Sequence, residues 1–147
     1  MHDEQGNGLW CDSGCANDPA RLNGVWGDNS VVVNNDRAGI RYENSPNQAL
    51  FENNEIHGNG VVEKRGGIDI RDSQNALVRT NVFGPATIAG VSYPANRDRI
   101  GVRATDSGRS DRVDLSNGDV VDNNLNGDHI VTCGGPVACS GNTNVGN

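Results

Sequence analysis

The sequence predicts a folded, turn-rich all-β protein of one domain, built from a repeated unit, and three observations carry that reading. First, 20 glycines and 21 asparagines make up 41 of the 147 residues, and both residue types favour turns and left-handed backbone over helix interiors. A helical bundle is excluded. Second, 16 Val, 7 Ile and 6 Leu fall in short, evenly placed runs, which a disordered tract does not sustain. Third, the chain aligns with itself, and self-similarity at a regular spacing decides the fold class.

Five segments open the repeat: Gly8-Leu9-Trp10-Cys11-Asp12, Gly39-Ile40-Arg41-Tyr42-Glu43, Gly67-Ile68-Asp69-Ile70-Arg71, Gly101-Val102-Arg103-Ala104-Thr105 and, more weakly, His129-Ile130-Val131-Thr132-Cys133. Their starts lie 31, 28, 34 and 28 residues apart. Three continue into Ser-containing turns at Asn44-Ser45, Asp72-Ser73 and Asp106-Ser107. A second apolar run follows each, at Ala49-Leu50-Phe51, Ala76-Leu77-Val78 and Gly118-Asp119-Val120-Val121. A unit of two or three short strands, too long for a leucine-rich repeat and without helical periodicity, predicts the coil of a parallel β-helix.

Alternation within the first strands puts Leu9, Ile40, Ile68, Val102 and Ile130 on the inward face, with Cys11, Tyr42, Ile70, Ala104 and Thr132 two residues on. Asn54, Asn81 and Asn124 close the second strands. They suit an internal side-chain ladder at a turn in left-handed backbone, where Asn is tolerated. Trp26 falls in a Gly- and Asn-rich stretch over residues 23–29, read as an insertion that the indole tethers to the body.

Residues 7–12, 38–45, 49–50, 53–60 and 67–70, taken in order, resemble the right-handed parallel β-helix repeat proteins. That large family includes pectate-lyase-like and carbohydrate-binding or sugar-hydrolase modules of bacteria. The resemblance covers roughly residues 5 to 145. It implies a right-handed solenoid of about five coils over residues 1–147, whole or as a segment of a longer one. It also implies polysaccharide or oligosaccharide as the ligand. The chain departs from the family's lyases in its small number of coils and its lack of a capping helix and a basic catalytic cluster.

With 19 acidic against 12 basic residues the net charge is −7, so a nucleic-acid backbone is repelled and no such partner is expected. No apolar run is long enough to span a bilayer, so no membrane is expected, and residues 1–8 do not read as a signal peptide. Any leader lies outside this sequence. The cysteines form two close pairs, Cys11 with Cys15 and Cys133 with Cys139. Two local disulfides stapling the ends are favoured over reduced thiols or a zinc site, because C-x₃-C with a distant C-x₅-C is poor metal spacing. Disulfides imply a secreted or cell-surface protein. Terminal coils with exposed strand edges also imply end-to-end self-association.

Outward positions of the first strands form a stripe of Trp10, Asp12, Arg41, Glu43, Asp69, Arg71, Arg103 and Thr105. Strand spacing of about 4.8 Å makes Asp12 and Glu43 cross-strand neighbours with Asp69 close by. A retaining glycosidase needs two carboxyl groups about 5 Å apart, so Asp12, Glu43 and Asp69 are the candidate catalytic residues. The same row of alternating charges also fits a solvated ion-pair ladder or a sugar-binding groove. Trp10 fits either a plate on which a sugar face stacks or a cap over the first coil. Arg41, Arg71 and Arg103 are candidate substrate ligands. A second group, His57 with Lys64 and Arg65, is placed to converge on a uronate, since lyases pair a basic residue with a charge that holds the acid. No cofactor is expected. Calcium is weakly suggested by Asp98, Asp106, Asp111, Asp114, Asp119 and Asp122, which match no known calcium loop. Nucleophile-elbow, zinc-protease, Walker and dinucleotide motifs are missing, which removes those enzyme classes.

Overall fold

A computed structural model describes residues 6–12, 25–46 and 48–144. The fold is all-β with parallel sheets. The first unit supplies β1 (Leu9–Cys11), β2 (Val25–Asp28) and β3 (Val31–Val33), and the second β4 (Ile40–Glu43), β5 (Ala49–Glu52) and β6 (Glu55–His57). The third gives β7 (Ile68–Arg71) and β8 (Ala76–Arg79), then a hairpin of β9 (Ala86–Ile88) and β10 (Val91–Tyr93). After one 3-10 turn at Arg97–Arg99 come β11 (Ile100–Thr105), β12 (Gly118–Val121), β13 (His129–Val131) and β14 (Val137–Ser140). Each strand pairs with its equivalent in the next unit. One five-stranded sheet runs β1-β4-β7-β11-β13, a second β14-β12-β8-β5-β2, and β3 pairs with β6. The β3–β6 pairing continues as single bridges from Glu55 to Val82, Val82 to Asn124 and Asn124 to Thr143. Every one of these pairings is parallel, and the β9–β10 hairpin is antiparallel.

The register follows the alternation. Leu9 pairs with Ile40, Ile40 with Ile68, and Ile68 with Val102, while Cys11, Tyr42, Ile70 and Ala104 follow two residues on. These side chains form one buried cluster with Phe51, Val78 and Val120 of the second sheet and Val32 and Ile56 of the β3–β6 pair. Thr132 departs from the expected stack. A register shift between Ile100 and Val102 precedes β13, and Thr132 lies beyond that strand, exposed and at φ 73.

The glycines that open the first three units are required by close approach. A Cβ on Gly8, Gly39 or Gly67 would sit 2.7, 2.8 and 2.7 Å from the carbonyl oxygen of Gly39, Gly67 and Gly101. Asparagine has a different role, at the corners. Asn29, Asn53, Thr80 and Asp122 all adopt positive φ, as does Gly141, and the residue after each enters a ladder. Asn54 donates its backbone N–H and Nδ2 to Asn81 Oδ1 at 3.0 and 2.9 Å. Asn81 donates in the same way to Asn123, and Asn123 to Asn142. The ladder residue in the fourth unit is thus Asn123 and not Asn124, and the left-handed residue is its predecessor, Asp122. Asn81 also donates to Phe51 O and is fully buried. Asn81→Ala strands these partners inside the core, where each lost bond costs about 1 kcal/mol or more. A loss of about 2–3 kcal/mol is expected in chemical denaturation. An unchanged midpoint would contradict the ladder's role.

A second ladder runs through Asn35, Asn59 and Asn96 and ends in a carboxyl. Asn35 and Asn59 each donate to the next side-chain oxygen. Asn96 Nδ2 then donates to Asp128 Oδ2 at 2.7 Å, and Gly84 N–H joins at 3.1 Å. Asp128 is buried and its Oδ1 has no partner. Burial pushes its pKa above the ordinary 3.8, against the lowering effect of these hydrogen bonds. A carboxyl raised on folding contributes stability fully below pH 3.8, and that contribution is lost as pH rises through the folded-state pKa. Asp128→Asn should therefore melt near the wild-type temperature at low pH and above it at neutral pH. A difference that is constant with pH would contradict the assignment.

Cys133 and Cys139 form a disulfide with Cα atoms 5.7 Å apart, linking the segment after β13 to β14. Cys11 is buried and disulfide-bonded, while Cys15 lies outside the described residues. The stretch read as an insertion carries a regular strand instead: Trp26, in β2, pairs with Leu50.

Candidate functional site

The outward stripe lies where the alternation places it. Trp10 pairs with Arg41, Arg41 with Asp69, Asp69 with Arg103, and Glu43 with Arg71. Extending the β1–β4 register by one residue sets Asp12 beside Glu43. Asp69 stands opposite Arg41 in the next strand, and Glu43 opposite Arg71. The environment of these residues is not that of a solvated ladder. Asp69 is 1% exposed, Arg41 6% and Glu43 8%.

Arg41 is the centre of the group. Its Nε donates to Glu43 Oε2 at 2.8 Å and its Nη1 to Asp69 Oδ2 at 3.0 Å. Asp69 also meets Arg65 Nη1 at 3.4 Å, Arg65 pairs with Glu63 at 2.7 Å, and Glu63 pairs with Arg37 at 2.7 Å. Residues 61–65 bring this cover over the sheet, and Arg103 helps hold them by donating to Lys64 O at 3.2 Å.

The two carboxyls respond in opposite directions. The hydrogen bond from Arg41 holds Glu43 below the ordinary carboxylate range, against desolvation. For Asp69, burial outweighs the attraction of Arg41, Arg103 and Arg71 and raises the pKa. Arg41 is itself raised: burial opposes its charge, but the Glu43 hydrogen bond and the charges of Asp69 and Glu43 outweigh it. A low and a high carboxyl side by side is the acid/base pattern of hydrolases. Here both are turned onto one guanidinium inside the protein, with almost no surface for a substrate to touch.

Trp10 is different, at 56% exposed. Its neighbours Leu9 and Cys11 pack on or in the core, so the indole projects outward from the sheet and does not cap it. Arg71 and Arg103 remain partly accessible beyond it, and Arg71 lies 3.6 Å from Asp72.

His57, Lys64 and Arg65 do not converge. His57 is fully buried, with Nδ1 2.8 Å from Gly84 O, while Lys64 pairs with Asp98 at 3.1 Å and Arg65 with Glu63 and Asp69. The sequence places the three within eight positions, but the β6 corner turns His57 into the core and sends the two cations over the first sheet. Three of the aspartates raised for calcium, Asp98, Asp106 and Asp111, have other partners, Asp98 being the one paired with Lys64. Asp106 accepts from Gly108 and Leu115 N–H, and Asp111 pairs with Arg109. Among the described residues no three His, Cys, Asp or Glu side chains gather as a metal site.

Sequence reasoning did not identify two surface cavities. One, of about 300 Å³, is lined by Gln48, Leu50, Asn75, Leu77, Asn117 and Asp119 on the second sheet. The other, of about 490 Å³, lies against the β9–β10 hairpin.

The chain matches no family model, no curated protein and no solved structure. No helix among the described residues is long and apolar enough to cross a membrane.

Proposed function

We propose that the chain is a right-handed parallel β-helix module, exported or displayed at a cell surface, that binds polysaccharide on the outer face of the first sheet without cleaving it. Right-handedness is supported by the all-parallel pairing of successive units, because crossovers between parallel strands of one sheet are right-handed in nearly all proteins. Export is supported by the Cys133–Cys139 bond, since disulfides persist in oxidising compartments.

The observation that carries the binding reading is Trp10. A half-exposed indole offers a flat apolar plate, and Arg103, three strands further along the same outward row, supplies a cationic donor, which suits an extended saccharide with hydroxyl or carboxylate groups. The non-catalytic half is supported by Arg41, which pairs with two of the three candidate carboxyls, Glu43 and Asp69, and by their burial. Screening the protein on a glycan array and then assaying bound polysaccharides for new reducing ends and unsaturated uronates tests both halves. Binding with no product is expected, and a product would overturn the non-catalytic half.

One observation favours a second reading, a structural solenoid of the adhesin or fibre kind: the stripe's inner charges, Arg41, Glu43 and Asp69, pair with one another. On that reading no glycan binds. Association of copies end to end would then use the outer edges of β13 and β14, the last strands of their sheets, and mass measurement at high concentration would show it.

A further inference from the structure

The third unit breaks the repeat after Phe83. From Pro85 to Pro94 the chain leaves its register and forms the β9–β10 hairpin, closed by a two-residue turn at Ala89 and Gly90 with φ 48 and 81. It returns at Asn96, which resumes the second ladder by accepting from Asn59. None of the hairpin's side chains joins the buried core, and Val91 is 53% exposed. An isolated two-stranded hairpin is marginal in water, so this one needs its anchors. Asn126 Nδ2 donates to Pro85 O at 2.8 Å, and Gly84 N–H is held by Asp128. An anchored excursion that adds nothing to the core is where binding residues are commonly carried.

The hairpin and Asn126 line the 490 Å³ cavity, together with Pro85, Ala86, Thr87, Ser92 and Tyr93. That volume lies within the range of small-molecule sites. The lining holds no charged side chain. It offers one phenol ring, two hydroxyls lying 3.2 Å apart, and an amide whose Nδ2 is committed to Pro85 O. Asn126 Oδ1 is left as an acceptor. Aromatic surface edged by hydroxyl and amide groups suits an uncharged polyhydroxylated ring and gives an anionic one no counter-charge.

We infer that the cavity beside the β9–β10 hairpin is a neutral-saccharide site, with Tyr93 as the stacking surface and Asn126, Thr87 and Ser92 as hydrogen-bonding groups. The inference rests on the carbohydrate reading above but assigns a second site, separate from the charged stripe. On this account the stripe serves acidic sugar units and the hairpin neutral ones.

The test is titration of the isotope-labelled full chain with maltohexaose, cellohexaose, xylohexaose and mannohexaose, and separately with hexagalacturonate, followed by amide chemical shifts. At least one neutral oligosaccharide is expected to give saturable shifts centred on residues 85–93 and 126. Tyr93→Ala should weaken that binding tenfold or more, Tyr93→Phe should retain it, and Trp10→Ala, at the separate stripe, should leave the shifts at residues 85–93 and 126 as they are. Neutral binding that Trp10→Ala abolishes and Tyr93→Ala spares would overturn this site while leaving the proposed function standing. Binding of hexagalacturonate alone would do the same. No binding of any of the five would overturn both.

Discussion

Ile68→Asp is expected to prevent folding. Ile68 is fully buried, with Ile40 and Val102 as its register partners in the adjacent strands. The substitution sets a carboxylate between two apolar neighbours with no cation on that face of the sheet. Burying an unpaired charge costs several kcal/mol even when the group neutralises instead, which is comparable with the whole stability of a domain this size. Ile68→Val, which removes one methylene, is the control and should cost about 1 kcal/mol. Circular dichroism and thermal melting of the pair separate the cases. An Ile68→Asp protein that melts with the wild type would mean that the inward face has been assigned to the wrong residues.

Arg41→Leu is the second large effect. It removes the group that contacts both Glu43 and Asp69, leaving two buried carboxyls to the weaker pull of Arg112 and Arg71 on one and Arg65, Arg103 and Arg71 on the other. Breaking a buried ion pair from one side costs about 3–5 kcal/mol, or roughly 10 °C in melting temperature for a chain of this length. The deficit should shrink as pH falls and the two carboxyls protonate. Combining Arg41→Leu with Glu43→Gln and Asp69→Asn should restore much of the loss, because the stranded charges are then gone. A triple variant no better than Arg41→Leu would show that the guanidinium acts by packing and not by charge.

Much of the architecture is legible because a β-repeat writes its constraints at fixed positions. Gly8, Gly39 and Gly67 mark the places where one unit's backbone touches the next, and the apolar alternation after them marks the inward face. β2 was hidden for a local reason. Gly27 stands opposite Phe51, and the ring lies 3.2 Å from where a Cβ on Gly27 would be. The large side chain of one unit fills the space the other leaves empty, so β2 carries no apolar signal at that position. The choice between Asn123 and Asn124 depended on which residue takes the left-handed corner, and two adjacent asparagines conceal it. The hairpin was hidden as well, since its turn uses Ala89-Gly90 where Asn-Gly would have announced it.

The candidate site was legible as a row and illegible as an environment. Alternation can say that Arg41, Glu43 and Asp69 face outward, but not that residues 61–65 fold over part of that face. The cover depends on Arg65 reaching Asp69 and on Glu63 reaching Arg37. Such contacts between a loop and a sheet leave no periodic trace. That covering turned an expected solvated ladder into a buried network. It shifts the functional weight from the carboxylates to Trp10.

Affinity electrophoresis through gels containing polygalacturonate, run with wild type and Trp10→Ala side by side, tests the central claim most directly. The exposed Trp10 predicts that the wild type is retarded and that Trp10→Ala, folded to the same melting temperature, migrates nearly as in a gel without polysaccharide. Equal mobility of the two proteins in every gel would contradict it.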